Sequence, residues 1–251
     1  MNQARRNSIV ELLEKQGMVT NAELMQAFGI SIETVRRDLA YLEERGLLER
    51  VYGGAVKKRF MSIEPNYANR EKNNNAEKIA IARVAEKFVS PNDTVFFDLG
   101  TTVLLIANGV TTEKVNAFTN SLRTAIALSE RGANVTIPGG QLRGGEFAVS
   151  GSISEENMQR FNVDKAFIGV GGITENGITD FIEKEASLRR QVIKNAGKVI
   201  AVADYSKFGV RAMCNVCNAE EIDVLITDEK APQRILKELE KKGVQVFVAK
   251  L

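Results

Sequence analysis

Residues 20–56 read TNAELMQAFGISIETVRRDLAYLEERGLLERVYGGAV. Thr20 and Glu23 have the spacing of a capping box, in which the hydroxyl accepts the N–H of the third helical residue and the carboxylate reaches back. A helix is therefore expected from Asn21, with Leu24 and Phe28 on one face at i, i+4. Gly29 supplies a backbone free of Cβ strain for a sharp turn between two helices. Ser31 is a natural N-cap for the next helix. In that helix Val35, Leu39 and Leu42 form an inward stripe, and Thr34, Arg36, Arg37 and Tyr41 fall largely outside it. Leu48 to Val56 then reads as a hairpin bent at Gly53-Gly54.

A helix with a short polar first turn and two adjacent arginines suits the major groove of double-stranded DNA, where early residues meet base edges and guanidinium groups take phosphate or guanine. Ser31, Thr34, Arg36 and Arg37 are the residues expected there, with Arg50 and Tyr52 carried by the hairpin as a wing against the backbone. Charge alone favours a solvated surface face, since Glu33, Asp38, Glu43 and Glu44 share the helix. The combination of cap, turn glycine, Ser-x-x-Thr-x-Arg-Arg and Gly-Gly bend favours DNA. The segment IETVRRDLAYLEERGLLERVYGGAV resembles the N-terminal signature of the DeoR family of transcriptional regulators. That resemblance implies a winged helix-turn-helix joined to a larger sensor domain for phosphorylated sugars.

Composition is compatible with this. The chain of 251 residues has 44% apolar content, enough for a core, and no run approaches the roughly 18 apolar residues of a membrane helix. The N-terminal MNQARRNSIVELLEKQG lacks a signal-peptide core, which predicts a cytoplasmic protein with no membrane partner. Ten Lys/Arg and eight Asp/Glu lie within the first 60 residues, so the whole net charge of +2 sits there. That excess is slight, and affinity for DNA must rest on placed arginines and an oligomer. There are no histidines, which removes the commonest general base and zinc ligand. Cys214 and Cys217 have the spacing of a redox or metal pair, but no further thiolates or imidazoles exist to complete a zinc site. They read as ordinary semi-buried thiols, and no metal, cofactor or catalytic residue is expected.

In chain order, Ile9, Leu12 and Leu13 predict a first helix over residues 3–16 that ends at Gly17. Arg5 and Arg6 at its start oppose the helix dipole, which nearby phosphates or a fraying terminus would equally tolerate. After the wing, KKRFMSIEPNYANREKNNNAEK is polar and aperiodic and reads as a linker. Its Lys57, Lys58 and Arg59 are either phosphate contacts or a solvated linker start. From Ala76 onward apolar strands alternate with helices, which predicts a mostly parallel sheet covered on both faces. Ligands of such sheets bind beyond the carboxyl ends of the strands. The loops there are Asp98-Leu99-Gly100-Thr101-Thr102, Thr119-Asn120-Ser121, Pro138-Gly139-Gly140-Gln141-Leu142-Arg143, Gly169-Val170-Gly171-Gly172 and Asp204-Tyr205-Ser206-Lys207. Each alone is weak. Five on one edge point to an anionic, hydroxylated ligand, with the glycine and two hydroxyls at a helix start suited to a phosphate.

DLGTT, TNSL, PGGQLR, GVGGI-x-x-x-GIT, the E-x-E-A segment from Glu183 to Ala186 and ADYSKFG also resemble the DeoR sensor domain, which is similar in fold to ribose-5-phosphate isomerase. By that resemblance Gly100, Thr101 and Thr102 hold the phosphate, and Asp98, Glu185 and Lys207 line the sugar. Asn120, Gly139, Gly140, Gly171 and Gly172 complete the expected effector site. Glu185 has an equal alternative, an i, i+4 pair with Arg189. The competing function is a sugar-phosphate isomerase-like enzyme fused to a DNA-binding domain, with Glu185 as base. Against it, the isomerase's acidic Asp-Gly-Ala-Asp turn is replaced by the neutral Gly169-Val170-Gly171-Gly172.

The expected fold class is α+β multidomain. A small winged helix-turn-helix domain (1–58) and a linker (59–75) precede an α/β Rossmann-like domain with a mostly parallel sheet (76–251). The expected function is sequence-specific repression of a sugar-metabolism operon, released by a phosphorylated sugar effector. A homo-oligomer, dimer or tetramer, would bind operator DNA.

Overall fold

A computed structural model describes residues 2–45, 47–56, 60–61, 63–110 and 114–251. Lys57, Lys58 and Arg59 lie outside the described residues. The chain divides into two compact units, Met1–Ile63 and Glu64–Leu251.

The first unit runs α1 (Asn2–Gln16), β1 (Met18–Thr20), α2 (Asn21–Phe28), α3 (Ile32–Glu44), β2 (Glu49–Val51) and β3 (Gly54–Val56). The apolar stripes meet as expected: Ile9, Leu13, Leu24, Val35, Leu39, Leu42 and Leu48 are buried in one cluster. The wing is the antiparallel pair β2–β3, with Val51 opposite Gly54. β1, which sequence periodicity passed over because it spans three residues, completes a three-stranded sheet on β3. This pairing explains Gly54. A Cβ there would lie 2.1 Å from the Val19 carbonyl oxygen, so β1 approaches too closely for any side chain.

The second unit runs α4 (Tyr67–Lys72), α5 (Asn75–Ala85), β4 (Thr94–Phe97), α6 (Thr101–Gly109), β5 (Asn116–Thr119), α7 (Leu122–Glu130), β6 (Asn134–Thr136), β7 (Gln141–Arg143), β8 (Ala148–Ser150), α8 (Ser152–Met158), β9 (Lys165–Gly169), β10 (Gly172–Thr174), β11 (Gly177–Asp180), α9 (Glu183–Lys194), β12 (Val199–Val202), β13 (Cys214–Asn218), β14 (Val224–Asp228), α10 (Gln233–Lys241) and β15 (Gln245–Ala249). Among the described residues, seven strands form one sheet in the order β15-β14-β12-β9-β4-β5-β6. Every neighbouring pair is parallel.

The unalternated apolar strands follow from burial on both faces. Val95, Phe97, Phe167 and Ile200 face one core with Ile81 and Val103, while Phe96, Ile168 and Ala201 face the other with Leu188 and Leu236. Phe97 and Phe167 stack across β4 and β9 with centroids 5.5 Å apart. No helix among the described residues is long and apolar enough to cross a membrane.

Two elements depart from the sequence reading. Glu64 onward, read above as the second half of a linker, clusters with the second unit, and Tyr67–Lys72 is helical. Ion pairs hold it there, Arg70 to Glu64 at 3.1 Å and Arg70 to Glu146, and these leave no trace in hydrophobic periodicity. A small antiparallel sheet, β10-β11-β13, was also not foreseen. Its turn signal is present, since Asn176-Gly177 stands between two Ile-Thr runs and Ile173 pairs with Ile178.

Candidate functional site

In the first unit the capping box forms as read: Thr20 N donates to Glu23 Oε2 at 2.7 Å, and Glu23 N donates to Thr20 Oγ1 at 3.2 Å. Gly29 takes the left-handed conformation, φ 61°, that turns α2 into α3. Ser31 caps α3 by accepting from Thr34 N at 3.4 Å. With Val35, Leu39 and Leu42 turned inward, Arg36 and Arg37 are exposed, and neither has an ion pair among the described residues. Tyr52 stands fully exposed at the bend of the wing. Arg50 is partly committed, because its N–H donates to Glu43 Oε1 at 2.9 Å and its guanidinium lies 3.7 Å from the same carboxylate.

Asp38 changes the charge balance of α3. It is buried, and its two oxygens accept from Arg5 Nε at 2.6 Å and Arg6 Nε at 2.7 Å. Burial opposes its ionisation, but the two guanidinium groups outweigh that and hold the carboxyl below its usual range. Arg5 and Arg6, weighed above as phosphate contacts or a fraying end, are the clamp that neutralises Asp38. Arg6 also stacks with Arg45 on Tyr41, each 3.6 Å from the ring centroid.

In the second unit, the carboxyl ends of the parallel strands gather a charged network. Asp98, at the end of β4, accepts from Leu99 N at 2.8 Å, Gly169 N at 3.1 Å and Arg189 Nε at 2.5 Å. Arg189 also pairs with Asp180. Burial opposes its charge, but the Asp180 and Asp98 carboxylates outweigh burial and raise its pKa. Asp98 is thus held by the protein's own donors, and the i, i+4 ion pair of Glu185 with Arg189 does not form. Glu185 instead accepts from Arg143 Nε at 2.7 Å. The strand carrying Arg143 brings it across α9, a placement that spacing within the helix cannot reveal. Burial pushes the Glu185 carboxyl up to about 7, against the pull of Arg189 and Arg143.

Buried polar atoms of three side chains here keep unfilled hydrogen-bonding capacity: Glu185 Oε2, Arg143 Nη2 and both amide atoms of Asn120. Backbone register makes them neighbours, for Val149 N donates to Asn120 O, and Ala148, which bridges Ser121, pairs with Arg143. Lys207 lies in the short turn after β12, whose Asp204 accepts from Ser206 N and from Asn74 Nδ2. Burial pushes the Lys207 ammonium below its usual range, and the carboxylates of Asp204, Asp180 and Glu64 oppose that shift. Gly100 heads α6 at φ 129°, with open space where a Cβ would stand and no side-chain cap on the helix. The first N–H groups of α6, from Thr101 and Thr102, are therefore available to an anion.

The remaining glycines have packing reasons. A Cβ on Gly140 would lie 2.2 Å from Ser154 Oγ, and on Gly172 2.3 Å from Val210 O. Gly139 accepts from Ser154 of α8, and Gly171 lies against Asp180. None of these four is brought against Asp98, which instead meets Gly169. Sequence reading missed Arg70, Arg143, Asp180 and Arg189 as members of the network. Arg143 stood inside a motif already singled out, but its partners come from distant elements. Two surface depressions, of about 350 and 490 Å3, lie elsewhere, by Ile126 and Ile137 and by Asn176 and Lys242.

Cys214 and Cys217 are free, and burial pushes their thiols up to about 11 and about 12. No three His, Cys, Asp or Glu side chains among the described residues are grouped to hold a metal ion.

Comparison with known proteins matches residues 5–59 to the DeoR-like helix-turn-helix domain and residues 73–229 to the DeoR C terminal sensor domain. The chain is 38% identical over 244 residues to the HTH-type transcriptional regulator GlpR of Haloferax volcanii, covering 96% of each. It is 34% identical over 242 residues to the HTH-type transcriptional repressor GlcR of Bacillus subtilis, covering 96% of this chain and 94% of that one. These relatives are transcriptional regulators, not enzymes. Among solved structures, ribose 5-phosphate isomerase A of Methanocaldococcus jannaschii aligns over 54% of this chain and 55% of its own, with a TM-score of 0.42 and 16% identity.

Proposed function

Because the chain belongs to the DeoR family of transcriptional regulators, we propose that it is a cytoplasmic, sequence-specific repressor of a sugar-metabolism operon, released by a phosphorylated sugar. The DNA side of this reading is supported by α3. Its outward face carries Arg36 and Arg37 unpaired among the described residues, and the acidic Asp38 beside them is neutralised from within. As a dimer or tetramer the protein would set two such helices in successive major grooves, with Arg50 and Tyr52 of the wing on the flanking backbone.

The effector side is carried by one observation. An uncapped helix start at Gly100-Thr101-Thr102 opens on the same sheet edge as the unfilled polar atoms of Asn120, Arg143 and Glu185. Helix N–H groups suit a phosphate, and a buried amide with a carboxylate suits sugar hydroxyls. An isomerase-like reaction finds less support, since Asp98 and Asp180 are both occupied by Arg189 and Glu185 is itself paired with Arg143.

The effector shifts the protein from the operator-binding arrangement only as far as it binds the other arrangement better. The test pairs two variants of the full chain. Arg36→Ala should lose operator affinity and keep stabilisation by the sugar phosphate; Thr101→Ala should do the reverse. Retained operator binding in the first, or retained ligand response in the second, removes that residue from its role.

A further inference from the structure

Glu64 is the first residue of the second unit, and its carboxylate bridges arginines from two elements. Oε1 lies 3.1 Å from Arg70 Nη2 of α4, which also pairs with Glu146, and Oε2 accepts from Arg143 Nη1 of β7 at 2.8 Å. The side chain is only 12% exposed. A carboxylate between two guanidinium groups is the arrangement proteins use to bind a ligand's phosphate or carboxylate. Here the anion is supplied by the chain itself. The surrounding groups are those of the proposed effector site: Arg143 continues to Glu185, Lys207 senses the Glu64 charge, and α4 packs on α6. Arg143 Nη2 and Glu185 Oε2, on the two residues that continue the bridge, are buried atoms without a hydrogen-bond partner.

We propose that Glu64 is an internal substitute for the effector's anion, and that the phosphate of the effector displaces it from Arg70 and Arg143. This rests on the effector reading above and adds which internal group the phosphate must displace. A phosphate monoester has three terminal oxygens, enough to accept from the α6 N–H groups and from the arginines together. It also carries more negative charge near neutral pH than one carboxylate. Glu64 and the phosphate compete, so the docked carboxylate lowers apparent effector affinity by the fraction of molecules in which it is bound. Displacement frees the Glu64 side chain, while Pro65 and Asn66 stay held by Arg70 Nε and by the cap on α4.

The test uses the full chain with inorganic phosphate and a hexose 6-phosphate as probes. In calorimetric titration Glu64→Gln should bind both probes about tenfold tighter than the unmodified chain, the gain expected when a mostly docked competitor is removed. A second measurement separates displacement from a general change of charge. The chain has no tryptophan and Ile63 is 79% exposed, so Ile63→Trp places a single reporter beside the bridge. Phosphate should lower its fluorescence anisotropy, and in the Ile63→Trp/Glu64→Gln double variant the anisotropy should already be low and stay unchanged. Equal affinities in the two chains, or bound phosphate that leaves the reporter unmoved, overturns the displacement and leaves the sensor reading standing. No binding of either probe to either chain overturns both.

Discussion

Arg189 of α9 donates through Nε to Asp98 at the end of β4 at 2.5 Å, joining residues 91 apart in the chain, and both are buried. The pair ties the strand that leads into the Gly100-Thr101-Thr102 helix start to the helix that carries Glu185. Arg189→Met would strand two carboxylates, Asp98 and Asp180, without their counter-ion. Breaking a buried pair from one side costs about 3–5 kcal/mol, and urea denaturation should show a loss of that size. A loss below about 1 kcal/mol would show that water or another cation replaces the guanidinium.

Glu185 gives the second unit a pH dependence of its own. Its carboxyl rises from an ordinary value near 4.5 to about 7 in the fold. The folded state therefore holds a proton that the unfolded chain gives up between those values. The stability it contributes is full below about 4.5 and is lost as pH rises to about 7. Glu185→Gln keeps an acceptor for Arg143 and never ionises. The variant's melting temperature should gain on the unmodified chain as pH increases through that window, and parallel curves would contradict the shift.

Asp38 behaves in the opposite sense. Held below its ordinary value of 3.8 by Arg5 and Arg6, it stabilises the first unit above that value, and the contribution is lost as pH falls through the folded value. Asp38→Asn should lower the stability of the first unit at neutral pH by about 1–3 kcal/mol, as expected when charged hydrogen bonds are replaced by weaker ones. The difference should shrink in acid. Amide hydrogen exchange on α1 and α3 would report it, and unchanged protection would contradict the clamp.

These partnerships mark the limit of what the sequence discloses. Thr20, Glu23, Gly29 and Ser31 act on residues within a few positions of themselves, so their capping and turning roles are legible in the order of residues. The parallel sheet is legible for a similar reason, since TVFF, VIAV and VLIT can only be buried on both faces. Asp38 finds Arg5 and Arg6 more than 30 residues away, and Glu185 finds Arg143 at a separation of 42. Those choices are made by packing of α1 on α3 and by the course of β7. Spacing alone offered Glu185 the nearer Arg189, and the fold gave that arginine to Asp98. The small sheet β10-β11-β13 is different, because its Asn176-Gly177 turn signal is local and stands in the order of residues itself.

Arg36 and Arg37 should separate by the character of their loss. A base-reading arginine costs about 1–3 kcal/mol and relaxes sequence preference, whereas a phosphate contact weakens all sequences alike and reduces the salt slope by about one. Titrating Arg36→Ala and Arg37→Ala against a specific and a scrambled fragment at several salt concentrations assigns each. Unchanged affinity in both variants would remove α3 from the interface.

Under the proposed function, a phosphorylated ligand of the second unit controls DNA binding by the first. The most direct test is the affinity of the full chain for DNA flanking its own gene, measured by fluorescence anisotropy with a panel of sugar phosphates and the matching free sugars. A ligand at 100 times its dissociation constant stabilises the form it binds by roughly 2.7 kcal/mol, enough to weaken operator binding by up to about a hundredfold if that form does not bind DNA. Release is expected with at least one phosphate and not with its dephosphorylated sugar. Operator affinity indifferent to every phosphate, or equally sensitive to the free sugar, would contradict it.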